Sequence, residues 1–267
     1  MANPKPTEHR EEIQFRQLLD EAVTKPGTLM QAYSLFWNYS LGNQLLAMWQ
    51  AHQRGLTVGP IASYTKWREL GRQVRRGEKA IVLCRPVTGK RTDTDNEGNE
   101  TESVYTRFVF KPFWFFVSQT DGAEYQAPAP PTWNRERALK ALNVTEIPFD
   151  MMDGNCQGYA KDRSIAINPL AAIPVKTTFH ELAHVELGHT TEAVHDSESL
   201  PRNLREVEAE SVAMLCLEAL GLDGADYCRG YIQAWSHEAI NEKCAHRIFA
   251  AADHILKAGI EKQEVPQ

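Results

Sequence analysis

The spacing of apolar residues divides the chain into a helical beginning, a β-rich middle and a helical end. Between residues 8 and 53 apolar side chains recur every third or fourth position, which is typical of amphipathic helices. Pro26 and Gly27 interrupt this pattern, so it predicts one helix before them and a second helix that includes residues 30 to 49.

Residues 56 to 118 favour strands. The runs "KAIVLC" and "YTRFVFKPFWFFV" are rich in β-branched and aromatic residues. The polar segment "TGKRTDTDNEGNETES" between them predicts a long hairpin loop, because Gly, Asn and Asp are turn residues that do not build a core. Several aromatic residues are expected in the core, namely Phe36, Phe108, Phe110 and Phe115.

The second half begins after a proline-rich segment, "QAPAPPTW", which favours an extended spacer. Next come a short strand in "DRSIAINP", a helix ending near Gly188, a helix stopped by Gly221, and a helical stretch over residues 225 to 257. The pattern predicts an α+β fold of two domains. Residues 1–125 form helices with a small antiparallel sheet, 126–135 a linker, and 136–267 a domain built on two central helices.

Composition narrows the class of protein. The five cysteines are widely spaced and lack a C-x-x-C pair, which predicts reduced thiols in a cytoplasmic protein. The polar start predicts no secretory signal, and no apolar run approaches the roughly 20 residues that span a membrane. Net charge is −6, yet residues 60 to 90 carry eight basic and two acidic side chains. From residue 177 onward, the chain contains sixteen acidic and seven basic side chains.

The segment "KTTFHELAHVELGH" carries the first candidate chemistry. On a helix His180 and His184 lie one turn apart, so both imidazoles can bind one ion at about 2.0 to 2.1 Å. Glu181 is offset by about 100° and is the candidate base that takes a proton from a water molecule. This H-E-x-x-H spacing is typical of metallopeptidases, but it also arises by chance, so a third ligand is needed.

The next helix contains "REVEAES", which offers that ligand. Glu206 is predicted to complete a His2Glu site for Zn²⁺, and the same donors also accept Mn²⁺ or Co²⁺. Glu210, one turn further, is predicted to orient a ligand histidine. Glu208 is expected to face solvent, and His189 is expected to be a structural residue at a helix end.

The basic segment "SYTKWRELGRQVRRGEK" interleaves cations with aromatic rings. Single-stranded DNA is bound through such cations and through rings that stack on bases, at about 1 to 3 kcal/mol per base. No recognition-helix, zinc-finger or basic-zipper pattern is present, which favours single strands over duplex. The alternative is a solvated strip without a ligand. The predicted DNA contacts are Tyr64, Lys66, Trp67, Arg68, Arg72, Arg75, Arg76 and Lys79.

In their order along the chain, these motifs resemble the ArdC-type antirestriction proteins of conjugative plasmids. The matching segments are "GNQLL", "SYTKW", "GRQVRRGEKAI", "FVSQTDG", "HELAH" and "EVEAE". The resemblance implies a single-stranded DNA-binding domain joined to a zincin-like metallopeptidase domain that protects incoming DNA from restriction in the cytoplasm. It also implies metal binding by His180, His184 and Glu206, with Glu181 as the base.

Two other functions fit the same residues. The protein could be a DNA-binding module whose metal is structural, or a regulatory metallopeptidase that cleaves a repressor or a stress regulator. Replacing Glu181 by Gln separates hydrolysis from metal and DNA binding.

Overall fold

A computed structural model describes residues 14–94, 100–151, 155–190 and 201–261. The chain divides into two compact units. Unit 1 comprises the described residues up to Met30 and from Pro131 onward, and unit 2 comprises Gln31–Pro130. Both units mix helices with strands, as the α+β prediction requires. Among the described helices, none has the length and apolar character needed to cross a bilayer.

Unit 2 is built from helices on a small antiparallel sheet. Helix α1 (Phe15–Thr24) lies in unit 1, and α2 (Thr28–Phe36) begins in unit 1 and continues into unit 2. The further elements of unit 2 are α3 (Leu41–Gln53), β1 (Ile61–Ser63), α4 (Tyr64–Glu69), β2 (Arg72–Val74), β3 (Ile81–Thr94), β4 (Glu100–Phe116) and β5 (Thr120–Gly122). One sheet has the order β1-β4-β3, and β2 pairs with β5. The amides of Asn43 and Gln50 on α3 hydrogen-bond the backbone of Cys84 and Val82, which satisfies the outer edge of β3.

The long hairpin differs from its prediction. Strands β3 and β4 pair from Ile81 out to Thr94, so most of the expected loop is strand. Strand β1 pairs only with residues 114 to 116, and beyond them the described ladder consists of β3 and β4 alone. Phe108 and Phe110 lie there, 69% and 47% exposed, so the prediction that they are core residues is wrong. The strand that their pattern predicted is present, but among the described residues no second layer covers this part of the ribbon.

Two predicted helices are each divided in the structure. Helices α2 and α3 are separated at Ser40, whose extended backbone begins α3, because Asn and Ser in this stretch favour a turn. The C-terminal stretch is divided at Asn241, whose side chain accepts a hydrogen bond from the Cys244 N–H at 2.9 Å. Asparagine is among the best N-cap residues, so Asn241 begins a new helix.

Unit 1 surrounds one buried helix. Its further elements are α5 (Arg135–Ala141), β6 (Thr145–Glu146), β7 (Gly158–Lys161), β8 (Ser164–Ile167), α6 (Pro174–Glu186), α7 (Arg202–Ala219), α8 (Ala225–Ala239) and α9 (Glu242–Gly259). The sheet order is β6-β8-β7. Helix α7 packs against α6, α8 and α9 and is buried throughout residues 207 to 219. Gly188 and Gly221, both at positive φ, follow α6 and α7 as predicted.

Helix α1 belongs to unit 1, whereas the sequence placed residues 1–125 together in the first domain. Buried polar contacts explain the difference. Arg229 of α8 donates to the carbonyl oxygens of Ala22 and Val23, and Glu218 of α7 accepts the backbone N–H groups of Gly27 and Leu29. Such side-chain contacts with distant backbone leave no trace in local apolar spacing.

Candidate functional site

Three potential metal ligands converge where α6 and α7 pack together. The Nε2 atoms of His180 and His184 are 3.1 Å apart. The Oε2 atom of Glu206 on α7 lies 3.4 Å from the first of these nitrogens and 3.7 Å from the second. Ligands about 2.0 to 2.1 Å from a tetrahedral ion are about 3.4 Å from one another. The triangle therefore fits a His2Glu metal site without rearrangement.

The predicted base lies beside this triangle. Glu181 is buried and lines a pocket of about 630 Å³ together with His180, Glu206 and Tyr231. Its Oε1 atom fits beneath Gly158 of β7, where an added Cβ would lie 3.2 Å from it. Burial raises the pKa of Glu181 to about 7, although the charge of His180 opposes this rise. A carboxylate of this kind can exchange a proton near neutrality.

Glu210 contacts the other side of the first histidine. Its Oε1 atom is 3.4 Å from His180 Nδ1 and accepts a hydrogen bond from Lys176 Nζ at 2.7 Å. Burial acts to raise the pKa of Glu210, but His180 outweighs it and lowers the pKa to about 2. Burial likewise disfavours charge on His180, yet Glu206 and Glu210 raise its pKa to about 9. His180 and then His184 hold the pKa of Glu206 well below its usual range.

A buried chain of polar groups lies behind the second histidine. His189 Nδ1 is 3.0 Å from His184 Nδ1, and His189 Nε2 is 3.0 Å from Glu208 Oε2. Arg247 of α9 lies 3.4 Å from the other oxygen of Glu208. Glu208 is fully buried, so the prediction that it faces solvent is wrong. It was missed because a glutamate-rich helix start suggests a solvated face, whereas α9 covers this side of α7.

The basic segment is only partly available to a ligand. The side chains of Tyr64, Lys66, Arg68, Arg76 and Lys79 are exposed. Trp67, in contrast, is fully buried, and its indole N–H donates to the Phe115 carbonyl oxygen at 2.8 Å. The prediction that Trp67 stacks on bases is therefore wrong, since neither face of its ring is accessible.

Two predicted DNA-contacting arginines mainly connect parts of unit 2. Arg72 donates to Oγ1 and the carbonyl oxygen of Thr120 and to the Ala123 carbonyl oxygen. Arg75 contacts Glu78 and Asp121 and donates to the Ser118 carbonyl oxygen. These contacts hold β2 against the segment that contains β5, so both guanidinium groups have structural partners.

Comparison with known proteins shows which family the first part of the chain resembles. Residues 14–116 match the family described as the N-terminal domain of anti-restriction factor ArdC. The resemblance to ArdC antirestriction proteins is confirmed. A relative of uncharacterised function, y4eC of Sinorhizobium fredii, is 25% identical to this ArdC-like chain over 232 residues, which cover 79% of the chain and 73% of the relative.

Two crystal structures show the ArdC fold over both units. The metal-free antirestriction ArdC protein from the R388 plasmid is 20% identical, with a TM-score of 0.51 over 92% of this chain and 94% of that one. The Mn(II)-bound structure of the same plasmid protein has a TM-score of 0.50, with coverage of 93% and 99%. The similarity in fold between this ArdC-like chain and the plasmid protein thus extends well beyond residues 14–116.

Proposed function

We propose that this protein is an antirestriction protein that binds single-stranded DNA through unit 2 and carries a zincin-like metallopeptidase centre in unit 1. The observation that carries the proposal is the convergence of His180, His184 and Glu206 beside the buried Glu181. Protection of incoming DNA from restriction is the role that the ArdC resemblance supports. All five cysteines are free thiols, which supports a place in the reducing cytoplasm.

The donor set supports a divalent metal. Two imidazoles and one carboxylate form the ligand set of many catalytic zinc sites, and here two of these residues, His180 and Glu206, line the pocket. Zn²⁺ is our first choice, and Mn²⁺ or Co²⁺ suits the same donors. The related R388 protein has been crystallised with Mn(II). A bound ion would supply a Lewis acid that polarises a peptide carbonyl.

The residues around the ion would divide the remaining work. Glu181 would accept the proton of the attacking water and return it to the amine that leaves, as its pKa of about 7 allows. Glu210 and Lys176 would hold His180 in its orientation. Direct metal analysis of the purified protein, together with titration of single-stranded and duplex DNA, tests the proposal. Absence of a stoichiometric divalent ion after reconstitution would exclude the metal centre.

The series of contacts from His184 through His189 to Glu208 predicts an effect on metal affinity. Glu208→Gln removes the charge that fixes His189, which in turn fixes the ring of His184. Outer partners of this kind typically contribute about 10- to 100-fold to metal affinity. We expect such a loss in competition titrations with a chelator. The matched control is Glu186→Gln on α6, which weakens the contacts of Glu186 with Arg163 and with His254 of α9 and should leave metal affinity unchanged.

The exposed cations of the basic segment predict that binding of single-stranded DNA depends on salt concentration. Replacing Arg68, Arg76 and Lys79 together by Ala should weaken binding of single-stranded DNA and reduce the dependence of log affinity on log salt by up to about two units. Fluorescence anisotropy at several salt concentrations measures both quantities. The control is Lys140→Ala, a cation in the last turn of α5 in unit 1. An unchanged slope in the triple variant would remove these cations from the DNA interface.

A further inference from the structure

The ribbon formed by β3 and β4 carries a cluster of exposed rings. Phe108 and Phe110 are two residues apart on β4 and therefore lie on the same face. Phe113, near the base of the ribbon where the register shifts, is 48% exposed. We call Phe108 and Phe110, which share one face, the ribbon phenylalanines. Three phenylalanines exposed within six positions are unusual, since large exposed apolar clusters commonly mark binding surfaces.

The backbone beneath these rings is a regular ladder. Residues directly opposite Phe108 and Phe110 are Pro86 and Cys84. Further out, the ring of Tyr105 lies over Gly89, where an added Cβ would come within 2.6 Å of the tyrosine Cζ. Close packing of an aromatic ring over a cross-strand glycine stabilises a ribbon. The rings are thus presented by an ordered pair of strands.

The charged residues of the ribbon indicate which kind of ligand binds there. Residues 81 to 90 and 103 to 116, the part of the ribbon whose side chains the structure describes, contain no aspartate or glutamate, and their cations are Arg85, Lys90, Arg107 and Lys111. Asp93, Glu100 and Glu102 lie further out on the two strands. Arg85, Arg107 and Lys111 alternate with the ring-bearing positions and so begin on the opposite face. The ribbon here is two strands wide, about 5 Å between strand axes, so long cationic side chains reach its edges. In this inner part of the ribbon, exposed rings bordered by cations complement a polyanion with accessible bases.

We propose that the ribbon phenylalanines are the base-stacking surface for single-stranded DNA, with the neighbouring cations contacting its phosphates. This inference rests on the proposed DNA-binding function and identifies the aromatic residues that would stack on the bases. The basic segment offers one exposed ring, that of Tyr64, because Trp67 is buried. Bases in a duplex are already stacked on one another, so the surface selects single strands.

The test compares two oligonucleotides of equal charge. A fluorescein-labelled oligothymidylate and an abasic oligomer of the same length differ in their bases but not in their phosphates. The unaltered full-length protein should bind the thymidylate about tenfold or more tightly. Phe108→Ala/Phe110→Ala should abolish that preference and keep the salt dependence. The variant with Arg68, Arg76 and Lys79 replaced should do the reverse, with a reduced salt dependence and an unchanged preference.

The controls separate the possible failures. Leu170→Ala removes an apolar side chain that is 89% exposed in unit 1 and should change neither quantity. If the unaltered protein binds neither oligomer, both the DNA-binding function and this inference are overturned. If it binds both equally, or if the double variant keeps the preference, DNA binding stands and the stacking surface is overturned. A double variant that changes sedimentation but not DNA affinity would instead assign the rings to a contact between copies.

Discussion

Glu181→Gln should reduce peptide-bond cleavage by about 10²- to 10⁴-fold, the usual contribution of a general acid–base residue. The amide keeps the size of the carboxylate but cannot accept a proton from water. Glu181 is not among the three convergent ligands, so metal content should be unchanged. Cleavage of labelled casein by the metal-reconstituted protein measures the loss, and inductively coupled plasma analysis measures the metal.

The same variant tests whether hydrolysis has a role in cells. Glu186→Gln serves as the matched control, because Glu186 lies on the same helix but contacts Arg163 and His254 instead of the pocket. If Glu181→Gln protects incoming DNA from restriction as well as the unaltered protein does, hydrolysis is not the mechanism of protection. The metal would then have a structural role, as in a DNA-binding module.

Glu206→Ala should eliminate tight metal binding. Its carboxylate is the candidate ligand that α7 places beside the two imidazoles of α6, and the remaining pair would not complete the proposed His2Glu set. We expect a loss of affinity larger than the about 10- to 100-fold effect of an outer partner. A metal at a thousand times its dissociation constant stabilises a folded protein by about 4 kcal/mol, and this stabilisation should disappear.

Thermal unfolding with and without added Zn²⁺ measures that stabilisation. The unaltered protein should show a clear rise in unfolding temperature with the metal, whereas Glu206→Ala should show almost none. Glu208→Gln should lie between them, since it leaves the three ligands in place. A metal response in Glu206→Ala equal to that of the unaltered protein would exclude Glu206 as a ligand.

Much of the metal centre could be predicted from local geometry. The helical repeat alone places His180 beside His184 and Glu206 on the same face as Glu210. Glycines after α6 and α7 ended those helices as predicted, because a left-handed residue stops a helix at a definite place. The sequence could not measure the distance between the two helices. That distance depends on how their apolar faces pack, which is a property of both together.

The missed residues share one physical cause. Glu208 has the chemistry of a surface residue but is covered by α9, and Trp67 has the chemistry of a base-stacking residue but lies in the core of unit 2. Phe108 and Phe110 have the pattern of a buried strand but lie where no described segment covers the ribbon.

The amino-acid sequence by itself therefore determined the elements, the relative directions of side chains within each element, and the types of donors available for a metal. Tertiary structure decided which side of each element is covered, that α1 joins unit 1, and that Glu206 meets the two histidines. The reason is physical: backbone periodicity is set by neighbours along the chain, whereas burial and convergence are set by contacts between segments far apart in it.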